Sequence, residues 1–506
     1  MMIKLSAAAN FLWGSRSTLR WLLLVAIILL FSFLGAKEIW TQEHRWADIV
    51  AGMFYRHDFF HPYLGEVRYY DKPLLSYWLI AFFTWIASDL TTWTLRLPSA
   101  LAGLLAVWSI YKIGCTERDK SFGMLCGWML VTTFYFVFWS RISSADMLNV
   151  SGSLLAVAWY LGRKNRASFI DYSVFFIILA VTSLCKGLGG AIVPLLAVFA
   201  DMCLHRSFRQ HLRPVLFAAL VPGMLIYLLP FWLSSHFGGE VYGENGLYLV
   251  YKENVLRYFQ PFDHQGPIYT YFIYLPIYLM PWTLFFIPAL WTLPSRWKSL
   301  TMPAKWNVLA LTLIFLFFTL SGSRRSYYVL PIVPFAVLVT ADWIYAVYAT
   351  TVLRQRLAAF CVIISCAAIF IVMDVMPVWY YERCGVSRFA NNLKREAGKY
   401  KPWQAWQVVM LDAETKLTFY LGLPPDTKNY DTEGERTEQT AAKLQKRWPL
   451  SQPKPDTIII SRKLYAPLLD KRFPQHLKVT MPTGSCPLLQ NSGDENMPIA
   501  YIPVQR

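Results

Sequence analysis

Charge is scarce in this chain, and acids are scarcer than bases. Asp, Glu, Lys and Arg make up 16% of the 506 residues, with 31 acids against 48 Lys and Arg. Hydrophobic residues reach 56% and mean hydropathy is +0.35. That balance excludes an ordinary soluble protein of this size. Cysteine is also sparse. Cys115, Cys126, Cys185, Cys203, Cys361 and Cys366 lie in or beside apolar runs and read as packing residues. Cys384 and Cys486 fall in the polar C-terminal part. They suit one disulfide if that part faces an oxidising compartment, and sequence alone leaves the pairing open. No HExxH-type pattern, internal repeat or low-complexity tract is present. Without repeat halves, a transporter built from them is disfavoured.

What the chain has instead is apolar runs of helix length along most of its course. They read as spans near 19–36, 95–113, 122–140, 147–162, 168–185, 188–204, 214–234, 268–290, 306–321, 327–348 and 357–378, about eleven in all. Leu22 to Ala36 is followed by no small-residue cleavage site, so it reads as a retained first span rather than a signal peptide. The net charge of +17 sits in short basic clusters between apolar runs, such as "RKNR" at Arg163–Arg166 and "RQR" at Arg354–Arg356. The positive-inside rule explains these clusters, and nucleic acid is not an expected partner. Leu74 to Ala87 is too short for a comfortable span and reads as an interfacial helix. With it outside the bilayer, every basic cluster falls on one face and most candidate chemistry on the other. The expected fold is an α-helical polytopic membrane protein with a small C-terminal α/β domain. Residues 1–378 would form the membrane domain, with a large first loop at 37–94, and 379–506 the soluble domain. In the soluble part "WQVVMLDA", "DTIIIS" and "MPIAYIPV" read as strands, and "VSRFANNLKREAGKY" and "EQTAAKLQKRW" as helices.

Charges beside hydrocarbon cost roughly 2.5–3.5 kcal/mol each on insertion scales, so each needs a reason. Asp146, in "RISSADMLNV", lies where two spans join and is either a helix cap or an active-site carboxylate. Lys186, in "SLCKGLGG", interrupts an apolar hairpin and is either a snorkelling turn lysine or a phosphate ligand. Asp71 and Lys72 precede a proline in "YYDKP"; Arg257, Arg324 and Arg325 add cations. Together these suit an anionic lipid phosphate, for which arginine offers a bidentate donor and lysine a point charge. His57, His61 and His264 with Asp58 or Asp71 make only a loose metal pattern, for which solvated loop histidines are the simpler reading.

The order "EHRWADIVAGMF…HDFFHPYLGEVRYYDKPLLSYW…RLPSAL", then Asp146, "CKG", "NVLRYF…DH" and "SRRSYYVLPIVPFAVL", resembles the bacterial aminoarabinose (lipid A) transferases. These belong to the wider protein-mannosyltransferase-like group. The resemblance covers about residues 15–350, in consistent order. It implies a GT-C-type glycosyltransferase bundle in the bacterial inner membrane, with its active site and C-terminal domain facing the periplasm. It implies a sugar donor on a polyprenyl phosphate and an envelope acceptor, lipid A or another lipopolysaccharide component. The family's catalytic acid commonly lies in an Asp-Glu pair before Arg-Tyr. Here that pair reads Gln42-Glu43, ahead of Arg45 and Trp46, so the expected catalytic carboxylates are Glu43 and Asp146. Lys72, Arg257 and Tyr328 match residues that the family uses around the lipid phosphate, and Arg45, Asp71, Lys186 and Arg324 are grouped with them as substrate-binding. Asp71 and His264 match positions associated with a divalent metal in a family member; no nucleotide cofactor is expected. A protein O-glycosyltransferase of the same group and a transporter or flippase for a lipid-linked solute are the alternatives.

Overall fold

A computed structural model describes residues 12–14, 18–40, 42–65, 67–70, 72–165, 168–237, 248, 250–261, 264–348, 351–430, 456–481 and 494–504. The chain divides into two compact units. One comprises Met1–Leu34 and Tyr69–Met373, the other Gly35–Arg68 and Asp374–Arg506.

The first unit is helical, and each apolar run read as a span within it forms helix. Among the described residues six helices of the chain are long and apolar enough to cross a membrane. They become seven if Lys120–Val131 and Phe134–Ser140, bent by 69°, count as one span. Leu19–Phe31, Leu75–Ala87 and Gly189–His205 are shorter apolar helices. Two buried arginines work inside this unit as caps. The last carbonyls of a helix have no partner within it. Arg141 donates to Leu29 O (2.8 Å) and Ser32 O (2.7 Å) at the end of Leu19–Phe31, and Arg96 donates to Leu34 O (2.8 Å). The cations also meet the negative end of that helix dipole.

Close approach of three helices depends on two glycines. A Cβ on Gly152, in Ala145–Arg163, would overlap the side chain of Thr182 in Phe169–Lys186. A Cβ on Gly190, in Gly189–His205, would come within 2.7 Å of the same side chain. Thr182 lies one turn from Lys186, and Gly152 less than two turns from Asp146. The glycine contact therefore fixes the spacing of the two helix ends that carry those charges.

The second unit holds a five-stranded sheet. Its strands are β3 (Gln407–Leu411), β4 (Asn429–Tyr430), β5 (Thr457–Arg462), β6 (His476–Thr480) and β7 (Pro498–Pro503); β1 (Tyr63–Leu64) and β2 (Val67–Arg68) form a separate hairpin. The sheet order is β4-β3-β5-β7-β6, with β3 parallel to β4 and β5, and β7 antiparallel to β5 and β6. The helix Val386–Gly398 buries Val386, Phe389, Ala390, Leu393 and Ala397, an amphipathic stripe, against one face. Tyr465, Leu469 and Phe473 cover the other face. The segment "EQTAAKLQKRW" lies outside the described residues. Cys384 is disulfide-bonded, six other cysteines are free, and Cys486 lies outside the described residues.

One boundary differs from the sequence expectation. The first loop, assigned there to the membrane domain, is split: residues 35–68 pack with the C-terminal unit. The helix Glu43–Arg56 explains this. Trp46, Ile49, Val50 and Met53 recur at helical spacing and are buried, so the helix needs an apolar partner. The helix Lys416–Leu421 packs against it. Asp48 is caught in that packing. Burial pushes its carboxyl up to about 7, against a smaller downward pull from the Thr418 hydroxyl.

Replacing Gly152 with Val should cost about 1–3 kcal/mol through overpacking, read as a lower thermal midpoint of the purified protein. An unchanged midpoint would show that the helices can part freely. Because folding favours protonated Asp48, its contribution to stability is full below the ordinary carboxylate value of 3.8, declines as pH rises, and is gone above about 7. Asp48→Asn should therefore flatten the pH dependence of the thermal midpoint and raise it at pH 8 relative to wild type.

Candidate active site

Lys186 ends the helix Phe169–Lys186, and Asp146 lies in the first turn of Ala145–Arg163. Their side chains form a short ion pair between Lys186 Nζ and Asp146 Oδ1. The helix begins there because Ser144 caps it, its hydroxyl accepting from the Asp146 amide at 3.3 Å. Ser144, not Asp146, is the cap; Asp146 stands in the first turn with its carboxylate paired to Lys186. Lys186 Nζ also lies 5.1 Å from the centre of the Tyr328 ring, within cation–π range. Tyr328 sits on the tight turn Ser326–Ile332 that leads into Val333–Ala346.

Arg257 is placed through its neighbour Asn254. Gly187 adopts φ 122, and a Cβ there would lie 2.6 Å from Asn254 Oδ1. That oxygen accepts from the Leu188 amide at 2.8 Å. The segment carrying Asn254 is thereby seated on the backbone just after Lys186, with Arg257 three residues on. The Arg257 guanidinium is buried, paired with Glu253 at 2.5 Å and donating from Nε to Ser323 Oγ at 3.3 Å. Asn254 and Ser323 were not read from the sequence. Glu253 was legible in principle, since Glu at i and Arg at i+4 share a helix face.

The neighbouring arginines do different work. Arg324 donates to Gly266 O (2.6 Å) and Thr319 O (3.0 Å), bracing the backbone of two segments. Arg325 bonds His264 Nδ1 at 2.8 Å and the Tyr327 hydroxyl at 2.7 Å. A cation on His264 would have to use Nε2, beside a guanidinium. Among the described residues no three His, Cys, Asp or Glu side chains gather as metal ligands, and Asp71 lies outside them. The described residues alone do not complete a metal site. Lys72 is half-buried just before Leu75–Ala87, a helix packed on Phe169–Lys186.

Glu43 and Arg45 belong to the second unit. Glu43 is fully buried in the first turn of Glu43–Arg56, and its Oε2 accepts from the Trp40 amide at 2.8 Å. Arg45, half-buried, is in the same turn. The loop histidines shape a turn. His57 ends the helix in the left-handed region (φ 53), and His61 Nδ1 pairs with Asp58 at 2.9 Å. Burial pushes the Asp58 carboxyl up, but bonds from the Phe60 and His61 amides and the His61 ring outweigh it and hold it low.

Residues 71–233 match the family of dolichyl-phosphate-mannose-protein mannosyltransferases. An aminoarabinose transferase of Shewanella sediminis, which uses undecaprenyl phosphate-α-4-amino-4-deoxy-L-arabinose, is 23% identical over 73% of this chain and 66% of its own length. A second such enzyme, from Pseudomonas fluorescens, is 27% identical over 64% of this chain and 57% of its own. A protein of Aquifex aeolicus is 26% identical over 64% of this chain and 63% of its own. The matched stretch thus spans under two thirds of these relatives' lengths. The crystal structure of ArnT from Cupriavidus metallidurans bound to undecaprenyl phosphate superposes with a TM-score of 0.70, at 16% identity, covering 96% of this chain and 99% of that one. An oligosaccharyltransferase from Archaeoglobus fulgidus gives 0.51 at 12% identity, covering 96% and 74%. In sequence this chain is similar to aminoarabinose transferases, and it shares the fold of the Cupriavidus metallidurans ArnT structure, with the long apolar helices of a multi-pass membrane protein.

Proposed function

We propose that the chain is a glycosyltransferase of the bacterial inner membrane. It moves a sugar from a polyprenyl-phosphate donor to an envelope acceptor, lipid A or another lipopolysaccharide component, on the periplasmic face. The observation that carries this reading is the meeting of Lys186 with Asp146 and Tyr328 beside the Gly187–Leu188 turn, on which the segment bearing Arg257 is seated through Asn254. Two cations and a phenol held by separate helices suit the phosphate of a lipid donor whose chain stays in the bilayer. The similarity to enzymes that take their sugar from undecaprenyl phosphate supports the same donor class.

Cleaving the sugar–phosphate bond leaves negative charge on the departing polyprenyl phosphate. Lys186 and Arg257, with Lys72, stabilise that charge as it develops. Lys186 begins bound to Asp146. An arriving phosphate competes for the amine and frees the carboxylate, which then accepts the proton of the attacking acceptor group. General-base help of this kind is typically worth roughly 10²–10⁴-fold. Attack in line with the leaving oxygen inverts the anomeric centre. Glu43 is the second candidate for the proton.

Lys186→Met and Arg257→Met should each weaken binding of undecaprenyl phosphate about ten-fold or more, as expected for a lost charge-assisted bond. Unchanged affinity in both would remove the cluster from the donor site. Glu43→Gln and Asp146→Asn, assayed with the Shewanella enzyme's donor, should identify the base as the residue whose loss stops transfer. Mass spectrometry of envelope glycolipids should show a sugar mass on lipid A in the complemented strain and none in the deletion. An unchanged glycolipid profile would contradict the lipid A assignment and favour a protein acceptor.

A further inference from the structure

Within the second unit, the stretch leading into Glu43 is held from the C-terminal side of the chain. Glu38 is 6% exposed and both its oxygens are engaged. Oε1 accepts from the Ser387 amide at 2.8 Å, and Oε2 meets Lys416 Nζ at 3.2 Å. The next residue, Ile39, donates its amide to the Tyr420 hydroxyl at 2.9 Å. The residue after that, Trp40, donates its amide to Glu43 Oε2 at 2.8 Å. Gly385 has room for the Glu38 carboxylate only because it lacks a side chain: a Cβ there would overlap Oε1.

Three successive residues, 38 to 40, therefore connect the C-terminal domain to the carboxylate. Lys416 and Tyr420 lie on the helix Lys416–Leu421, reached from β3 through Asp412–Thr415. Parallel α/β sheets commonly place ligands at the carboxyl ends of their strands. Here Asp412 at that end is occupied by Arg462 (3.3 Å) and Tyr465 (3.1 Å), and the helix that follows grips a segment of the same chain instead.

We propose that the C-terminal domain positions Glu43 for transfer, with Glu38, Lys416 and Tyr420 as positioning residues acting through the Trp40 amide. This rests on Glu43 taking part in the reaction. The physical ground is that a carboxylate displaced by about 1 Å can lose on the order of 10²-fold in rate. A bolt of buried, charge-assisted bonds prevents that displacement.

The test uses the full-length protein in lipid nanodiscs with Tyr420→Phe, Lys416→Met and Gly385→Ala. Tyr420→Phe removes a single hydroxyl and keeps the fold safe. Hydrogen exchange at residues 38–47 should rise in each variant, with β3, β5 and β7 unchanged. With the same lipid-linked donor, kcat should fall about ten- to hundred-fold while the donor KM holds. In a Glu43→Gln background, Tyr420→Phe should cost nothing further in residual kcat. Faster exchange with an unchanged kcat would overturn the positioning role, as would unchanged exchange. A fully active Glu43→Gln would instead remove Glu43 from the chemistry, whatever the exchange result.

Discussion

A lysine at the end of an apolar helix must reach water or find a carboxylate, and Lys186 finds Asp146. Much of the membrane unit's arrangement around it follows from that pairing. Removing one partner of a buried pair leaves an uncompensated charge, so the two helix ends are held together. The glycine contacts at Thr182 set their separation, and the Gly187 turn lets Asn254 dock and bring Arg257 alongside. In the mechanism proposed above, the donor phosphate gains negative charge as the sugar–phosphate bond breaks and so draws the lysine away from the carboxylate. On that proposal the same lysine serves first the carboxylate and then the phosphate.

Arginine is used differently. Arg96, Arg141 and Arg324 spend their donors on backbone carbonyls, where a planar guanidinium satisfies several acceptors at once. Arg257 pairs with the Glu253 carboxylate and donates to the Ser323 hydroxyl. Identical side chains thus serve as braces in some places and as part of a polar cluster in another, and only the partners tell them apart.

That distinction also marks what could be read from the sequence. Apolar runs are long-range signals repeated over twenty residues, so each gave helix near its expected place. The short continuous apolar runs in "DTIIIS" and "MPIAYIPV" located β5 and β7, which are buried on successive residues. β4, with two residues, and β6, half exposed, carry too little pattern to be found. Asp146, Lys186, Arg257 and Tyr328 were legible as costly or motif-bearing residues. Their convergence was not, because it depends on turns at Gly187 and Ser326 that bring distant helices together. The attachment of residues 35–68 to the C-terminal unit was hidden for the same reason. The bonds from Glu38 to Lys416 and from Ile39 to Tyr420 join residues more than 370 apart in sequence. No local pattern announces them. Only the amphipathic stripe of Glu43–Arg56 hinted that this loop helix needed a partner.

The most direct measurement is release of free undecaprenyl phosphate from a lipid-linked sugar donor by the purified protein in nanodiscs, followed by mass spectrometry with lipid A present. The wild-type protein should release the lipid phosphate in step with a sugar mass gained by the acceptor, and Lys186→Met should release little of either. Undiminished release by the Lys186 variant, or release without gain of sugar by the acceptor, would contradict a transferase built on this charge cluster.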